Sequence, residues 1–372
     1  MHVLPTRVTA LLRRHWMPAL LIALTLVLAW VDPRPWNDWL RWLDAPALCS
    51  LLALLAVAQV LRESGLVQWA AQRLLAHVHS QRMLVLALMT LSACAAMLLT
   101  NDVSLFLVLP LALALCELTA LPRLRVVALV ALAVNAGSAL SPIGNPQNLL
   151  LWRQANVGML HFVVAMAPVV AIMVFCLLVA AWLLIPRGRF ERLAPSPPRT
   201  PLDRRLAVIG GVLFIVLLAL LEWRFEFTAL VFVLVALRVV RRGALARLDW
   251  LLMVSIALML LALGHLAALP QVRSMMAHLA WDRPDVTLFV GALLSQAVSN
   301  VPATVALKQQ VSDPLWLAVA VNIGGSGLAI GSLANLIALR MEGSAAAWRV
   351  FHRISVPYFF VVLTLAWWWL RP

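Results

Sequence analysis

The sequence predicts an all-α polytopic membrane protein made of two inverted-topology repeats, each holding a re-entrant helical hairpin and a broken transmembrane helix. Three observations predict it. Of the 372 residues, 64% are apolar and only 12% charged, and the mean hydropathy is +0.96, which no soluble domain of this length reaches. Apolar runs long enough to cross a hydrocarbon core of about 30 Å as helices recur along the whole chain. A segment of the first half also returns, residue for residue in part, in the second.

The elements follow in order. Full spans are expected at 16–31, 46–62, 125–152, 159–185, 206–221, 226–240, 250–269, 315–340 and 354–370, with apolar hairpins at 83–117 and 284–311. Arg7, Arg13 and Arg14 before the first run give it the charge order of a signal peptide. The run is long, however, and no small-x-small cleavage site follows, so it reads as a span. The net charge of +14 sits in short segments between spans and carries no aromatic-interleaved nucleic-acid motif, so it encodes topology. Arginine collects at the amino end and around 62–82, 123–125, 187–205, 238–247 and 340–353, while 32–44, 153–156, 222–226 and 271–285 are charge-mixed.

If each hairpin returns to the side it entered, every arginine-rich segment shares one side. The positive-inside rule then puts the amino end in the cytoplasm and the carboxyl end in the periplasm of an inner (plasma) membrane. Re-entrance is expected because the polar turn Thr100-Asn101-Asp102 tolerates membrane depth only when protein or a cavity surrounds it. The Pro- and Arg-rich stretch 186–205 reads as a cytoplasmic linker between a first repeat, 1–185, and a second, 206–372. Cys49, Cys94, Cys116 and Cys176 stand singly in apolar runs and read as packing residues, with no disulfide or zinc spacing. His161 and His265, near span ends, read as structural, and Glu117 and Lys308 as interfacial groups at hairpin ends.

The repeat is specific. Laying 135–150 over 322–337 without a gap matches Asn135 with Asn322, Gly137 with Gly324, Ile143 with Ile330, Gly144 with Gly331, Asn148 with Asn335 and Leu149 with Leu336. Each segment follows a hairpin whose turn pairs a hydroxyl residue with Asn, Thr100-Asn101 and Ser299-Asn300. Matched transporter halves of this kind hold their site at the repeat interface.

Ser141-Pro142-Ile143-Gly144-Asn145-Pro146 cannot remain one continuous helix, because two prolines remove donors and clash with the preceding turn. Gly324-Gly325-Ser326-Gly327 with Gly331 predicts a second unwound stretch, each Gly costing about 1 kcal/mol of helix stability. A break frees carbonyls for a cation and gives the resuming half-helix an amino end that attracts an anion. Asn145, Gln147 and Asn148 lie at one such end, Ser332 and Asn335 at the other. Asp102 is the one acid expected deep in the membrane, where a carboxylate belongs to an ion or proton pathway or caps the arm that follows.

With the phrases LLTNDVSLFLVLP, AVNAGSALSPIGNPQN, SNVPAT and NIGGSGLAIGSLANLIALR, the chain resembles the ion transporter superfamily of arsenite permeases, D-type sodium/proton antiporters, citrate-metal transporters and divalent anion:sodium symporters. The likeness runs over essentially the full length and is nearest to a compact branch of bacterial inner-membrane anion permeases. It implies a scaffold domain that forms a homodimer, a transport domain holding both hairpins, and elevator-type alternating access. Thr100, Asn101, Ser299 and Asn300 would then contact substrate, with Ser141, Gly144, Asn145, Gly327 and Gly331 beside the coupling ion. Asp102 and Val301-Pro302 depart from the Ser-Asn-Thr turns of the dicarboxylate symporters.

The expected function is secondary active transport of a small anion or oxyanion coupled to sodium or protons. Its substrate set is Thr100, Asn101, Asn145, Asn148, Ser299, Asn300, Ser332 and Asn335, and its coupling-ion set Asp102, Ser141, Gly144, Gly327 and Gly331. Sodium/proton antiport and arsenite or antimonite efflux are the alternatives, and a channel is a weaker one. No enzyme is expected, since beyond Asp102 no nucleophile, base or metal set lies at depth. No cofactor beyond a bound Na+ or H+ and no nucleic-acid partner is expected; membrane lipid and a small substrate are.

Overall fold

The structure is a computed structural model describing residues 16–66, 69, 78, 80–119, 121–188, 201–240, 243 and 245–369. The helices are α1 Trp16–Val31, α2 Trp36–Leu43, α3 Ala45–Glu63, α4 Gln81–Leu98, α5 Asn101–Thr119, α6 Arg123–Leu140, α7 Pro146–Ala155, α8 Met159–Leu184 and α9 Arg204–Glu222. They continue as α10 Glu226–Val240, α11 Trp250–Ala268, α12 Pro270–Ala277, α13 Pro284–Val298, α14 Asn300–Leu307, α15 Pro314–Gly324, α16 Leu333–Glu342 and α17 Ala345–Trp369. Local chemistry sets many of the starts. Asp44, Ser80, Asn145, Asp203, Asp249 and Asp313 each accept a hydrogen bond from a backbone N–H in the first turn of the helix they cap. Proline follows at the start of α7, α13 and α15, where its missing donor costs nothing.

The expected spans are present as helices, with instructive differences. Seven helical stretches among the described residues are long and apolar enough to cross a membrane. The last helix begins at Ala345 rather than 354. Its first turns bury Ala347 and Phe351 while exposing Arg349 and Arg353, so the helix continues past its apolar run. The final residue of the expected 354–370 span lies outside the described residues. The charge-mixed segments 32–44 and 271–285 contain the short helices α2 and α12, too brief for a spanning pattern.

The helices sort into two bundles. One is formed by α1, α2, α3, α9, α10 and α11; the other by α4 to α8 together with α13 to α17. Each half of the sequence therefore feeds both. They meet mainly where α11 packs on α14 and α3 on α7. Polar bonds also fix which loops share an end. Asp203 N donates to Ser64 O at 3.0 Å and Gln81 N to Gly188 O at 3.0 Å, Arg125 Nη1 donates to Leu184 O at 2.6 Å, and Arg247 pairs with Glu63 at 3.3 Å. These bonds gather the described flanks of the arginine-rich segments 62–82, 123–125, 187–205 and 238–247 at one end of the molecule; the amino-terminal arginines and residues 189–200 lie outside the described residues.

Both long spans break as the sequence predicts. The first runs through α6, unwinds over 141–145 and resumes as α7; the second runs through α15, a single 3-10 turn at Ala329–Gly331, and α16. The hairpins α4–α5 and α13–α14 lie against the first halves of these spans, and the matched glycines permit the contact. A Cβ on Gly137 would enter the backbone of Ala93 on α4, and one on Gly324 would meet Ser295 on α13.

Candidate functional site

At the breaks the two halves are cross-braced. Asn135 of α6 donates to Asn335 Oδ1 (2.8 Å) and to Gly325 O (3.2 Å), and its own Oδ1 accepts from Ser332 (2.9 Å). In the other direction, Asn322 of α15 donates to Asn148 Oδ1 (2.6 Å) while its Oδ1 accepts from Asn145 (3.0 Å). Thus each Asn of the matched pair binds the half-helix that resumes in the opposite half of the chain. Asn148 also donates to Ser141 O at 3.0 Å, and Asn335 to Gly325 O at 2.8 Å, so these amides satisfy carbonyls that unwinding frees. Replacing Asn322 with alanine leaves Asn148 Oδ1 without its donor and takes one of two acceptors from the Asn145 amide in a buried site. We expect it to lower stability by about 1–3 kcal/mol, read as a lower thermal aggregation midpoint in detergent.

The hairpin tips end level with the breaks. Asn101 N donates to Gly144 O at 2.8 Å, and Ser299 Oγ to Gly331 O at 3.4 Å, so each tip docks on a glycine carbonyl of the matched pair. The hydroxyl residue of each turn has positive φ, 123° at Thr100 and 79° at Ser299. Non-glycine residues held this way cost about 1–3 kcal/mol each and concentrate at ligand clamps and switches. In both turns the Asn side chain then accepts from the next backbone N–H, Asp102 N and Val301 N, each at 2.9 Å.

The two tips face a common cavity of about 330 Å³ between the bundles. Its polar wall is Asn101, Asp102, Ser299 and Asn300 with Ser255 of α11, and its apolar wall includes Leu21 and Leu24 of α1, Leu252 and Met259 of α11, and Leu333 and Leu336 of α16. Among the described residues no Lys, Arg or His lines it. Thr100 Oγ1, Asp102 Oδ1, Ser104 Oγ and Gln147 Oε1 around the first tip and break are buried without a hydrogen-bond partner, as is Ser326 Oγ in the second break. Buried unsatisfied oxygens point to an ion or water. Of the sequence-selected residues, the cavity thus brings together Asn101, Asp102, Ser299 and Asn300. Asn145, Asn148, Ser332 and Asn335 lie behind them in the cross-brace, and Ser141, Gly144, Gly327 and Gly331 form the breaks.

Several contributors carry no mark in the sequence. Gln296 of α13 clamps the second break, donating to Gly324 O and accepting from Leu328 N at 2.6 Å; it has no counterpart in the first hairpin that would reveal it. At the end opposite the arginine-rich segments, Arg153 pairs with Glu226 and lies 4.0 Å from Asp44, which Lys308 reaches at 3.4 Å. Arg224 covers the Trp152 ring at 4.4 Å, and Glu222 accepts from Met159 N at 2.8 Å. His265 is fully buried, bonded to Asp32 at 3.1 Å and stacked on Trp42. The Arg34 guanidinium beside Asp32 holds that carboxyl below the usual carboxylate range. His265 thus seats α2 on α11.

A family model described as citrate transporter matches residues 7–321. "Inner membrane protein YbiR" of Escherichia coli (strain K12) is 33% identical over 339 residues, 91% of each chain. "Uncharacterized transporter MJ0456" of Methanocaldococcus jannaschii is 28% identical over 86% of each chain. A shorter likeness, 27% over 132 residues, covers 36% of this chain and 27% of "Silicon efflux transporter LSI3" of Oryza sativa subsp. japonica.

Proposed function

The chain belongs to the citrate transporter family, a family of membrane transporters and not of enzymes, and on that premise we propose that it is a secondary active transporter for a small anion or oxyanion, coupled to sodium or protons. The observation that carries this reading is the cavity with two Asn-tipped hairpins, an unpartnered Asp102 oxygen and, among the described residues, no basic side chain. An anion entering it finds no ion-pair partner, and desolvating an unpaired charge is costly. Its charge must be balanced by a cation that travels with it. Asp102 and the unpartnered oxygens of Thr100, Ser104 and Gln147 suit a hard cation or a proton. Asn101, Asn300 and Ser299 then contact the cargo through neutral donors and acceptors.

The cavity walls belong to different bundles, so sliding one bundle along the other would change which side it faces. That is the elevator scheme, with re-entrant hairpins carried in the moving bundle and a homodimer of the other. The arginine-rich side is cytoplasmic on the positive-inside rule, and the relative named an inner membrane protein supports that membrane. A second reading, sodium/proton antiport, draws on the same Asp102 as the exchanged-charge carrier. Efflux of a metalloid oxyacid such as arsenite draws on the amide and hydroxyl groups of the cavity wall and on the rice relative's name.

The test is flux in sealed vesicles across carboxylates, oxyanions, metalloid oxyacids and cations, with sodium and pH gradients imposed separately. Movement indifferent to both gradients rejects secondary transport, and exchange of Na+ for H+ without an organic or oxyanion cargo selects antiport. Asn101→Ala and Asn300→Ala should each reduce flux at least about tenfold, the loss of one or two hydrogen bonds to cargo, with membrane expression unchanged. Wild-type rates in both would take the turns out of the mechanism.

A further inference from the structure

Extending the gap-free match three residues aligns Arg153 of α7 with Arg340 of α16. Their surroundings differ sharply. Arg153 is 18% exposed and held by Glu226 and Asp44 of the other bundle, whereas Arg340 is exposed and makes no ion pair among the described residues. Both arginines share a helix face with the cavity region. Pro146, Leu150 and Arg153 are spaced i, i+4, i+7, and Leu333, Leu336 and Arg340 are spaced i, i+3, i+7, each series forming one stripe. Pro146, Leu333 and Leu336 touch the cavity.

The acids are placed as equivalently as the arginines. Asp44 caps α3, the helix before the first hairpin, and Asp249 caps α11, the long helix before the second. Asp249 is exposed and pairs with no cation among the described residues. It precedes Leu252 by three residues, so it stands on the face of α11 that walls the cavity opposite Leu333 and Leu336. Sliding the bundle that carries α16 along α11 until the cavity no longer faces this end would bring Arg340 to Asp249. Opening the other end would part Arg153 from Asp44 and Glu226.

We propose that Arg153 and Arg340 are alternating latches: the Arg153–Asp44/Glu226 cluster holds the state seen here, and an Arg340–Asp249 pair holds the opposite one. One latch is closed in each state, so the exchange of partners keeps the charge count constant while a bundle moves. The ratio of the two states is set by the difference between the latches, and a variant in either one shifts it in a defined direction. The inference rests on the alternating-access reading above.

The test uses the full-length protein in membranes with its four native cysteines replaced and needs no cargo. With a reporter cysteine at Leu336→Cys, labelling by a membrane-impermeant maleimide applied from the arginine-rich side reads how open the cavity is. Arg153→Gln or Asp44→Asn should slow labelling, on the order of tenfold for loss of a partly buried ion pair; Arg340→Gln or Asp249→Asn should leave it unchanged or faster. Separately, a Cys pair at Asp249→Cys and Arg340→Cys should be joined by a short bis-maleimide, and faster when Arg153→Gln is added. Shifts of the same sign in both sets, or a 249/340 pair that never links while an Asp44→Cys/Arg153→Cys pair does, overturn the proposal. If the vesicle fluxes are gradient-coupled but these shifts are absent, the latch fails and the transport reading stands. Opposed shifts without coupled flux leave the latch standing and remove the coupled-transport reading.

Discussion

Substituting Asp102 with asparagine is expected to abolish the dependence of flux on the driving-ion gradient and to reduce gradient-driven accumulation on the order of tenfold or more. Asp102 lines the cavity, is 8% exposed, and has one carboxylate oxygen without a partner. A buried charge is tolerated only where something neutralises it, and no basic side chain lines this cavity among the described residues. Asparagine separates the two roles open to this residue. It keeps the size and the helix-capping capacity of aspartate in the first turn of α5 while removing its charge. Loss of ion dependence with normal expression therefore identifies a coupling group. Sodium- and pH-driven accumulation indistinguishable from wild type would reduce Asp102 to a cap.

Gly137→Ala should have the largest effect on the folded protein itself. The added methyl would occupy the position of the Ala93 backbone, which cannot rotate away as a side chain can. Overpacking in a tight core costs about 1–3 kcal/mol, and more where backbone is displaced. The hairpin would have to leave α6, taking with it the Asn101–Gly144 contact that seats its tip. A sharp fall in monodisperse protein recovered in detergent is the expected readout. Gly211→Ala on α9, where nothing lies within 4 Å of the new methyl, is the control and should be neutral or slightly stabilising. Equal recovery of the two variants would mean that α4 and α6 are not locked together at this glycine.

Much of this arrangement is legible in the sequence, for physical reasons that differ between parts. Spans declare themselves by apolar length. The breaks declare themselves because Pro142, Pro146 and the run of Gly324, Gly325 and Gly327 are incompatible with uninterrupted helix. The match of Asn135 with Asn322 marks the two residues that brace the centre. What the letters cannot convey is the direction of an amide. By residue type, Asn148 and Asn335 group with the turn residues as cargo contacts, yet their donors are spent on backbone carbonyls laid bare by the breaks. Likewise Arg153 and Glu226 are 73 residues apart in the chain, and nothing periodic links them. Short helices such as α2 escape because an eight-residue amphipathic segment leaves too little pattern to distinguish it from a connection.

The crossed asparagines also bear on how the chain is made. Asn148 receives its partner Asn322 from 174 residues downstream. At roughly 5–20 residues per second of synthesis, the first broken span would wait on the order of ten to thirty seconds inside the membrane with the Asn148 side-chain oxygen unsatisfied. Neither half can finish its own interior alone. A ribosome-bound first half should therefore be the species most prone to quality-control proteolysis, and the two halves, produced as separate polypeptides, should survive only when made together.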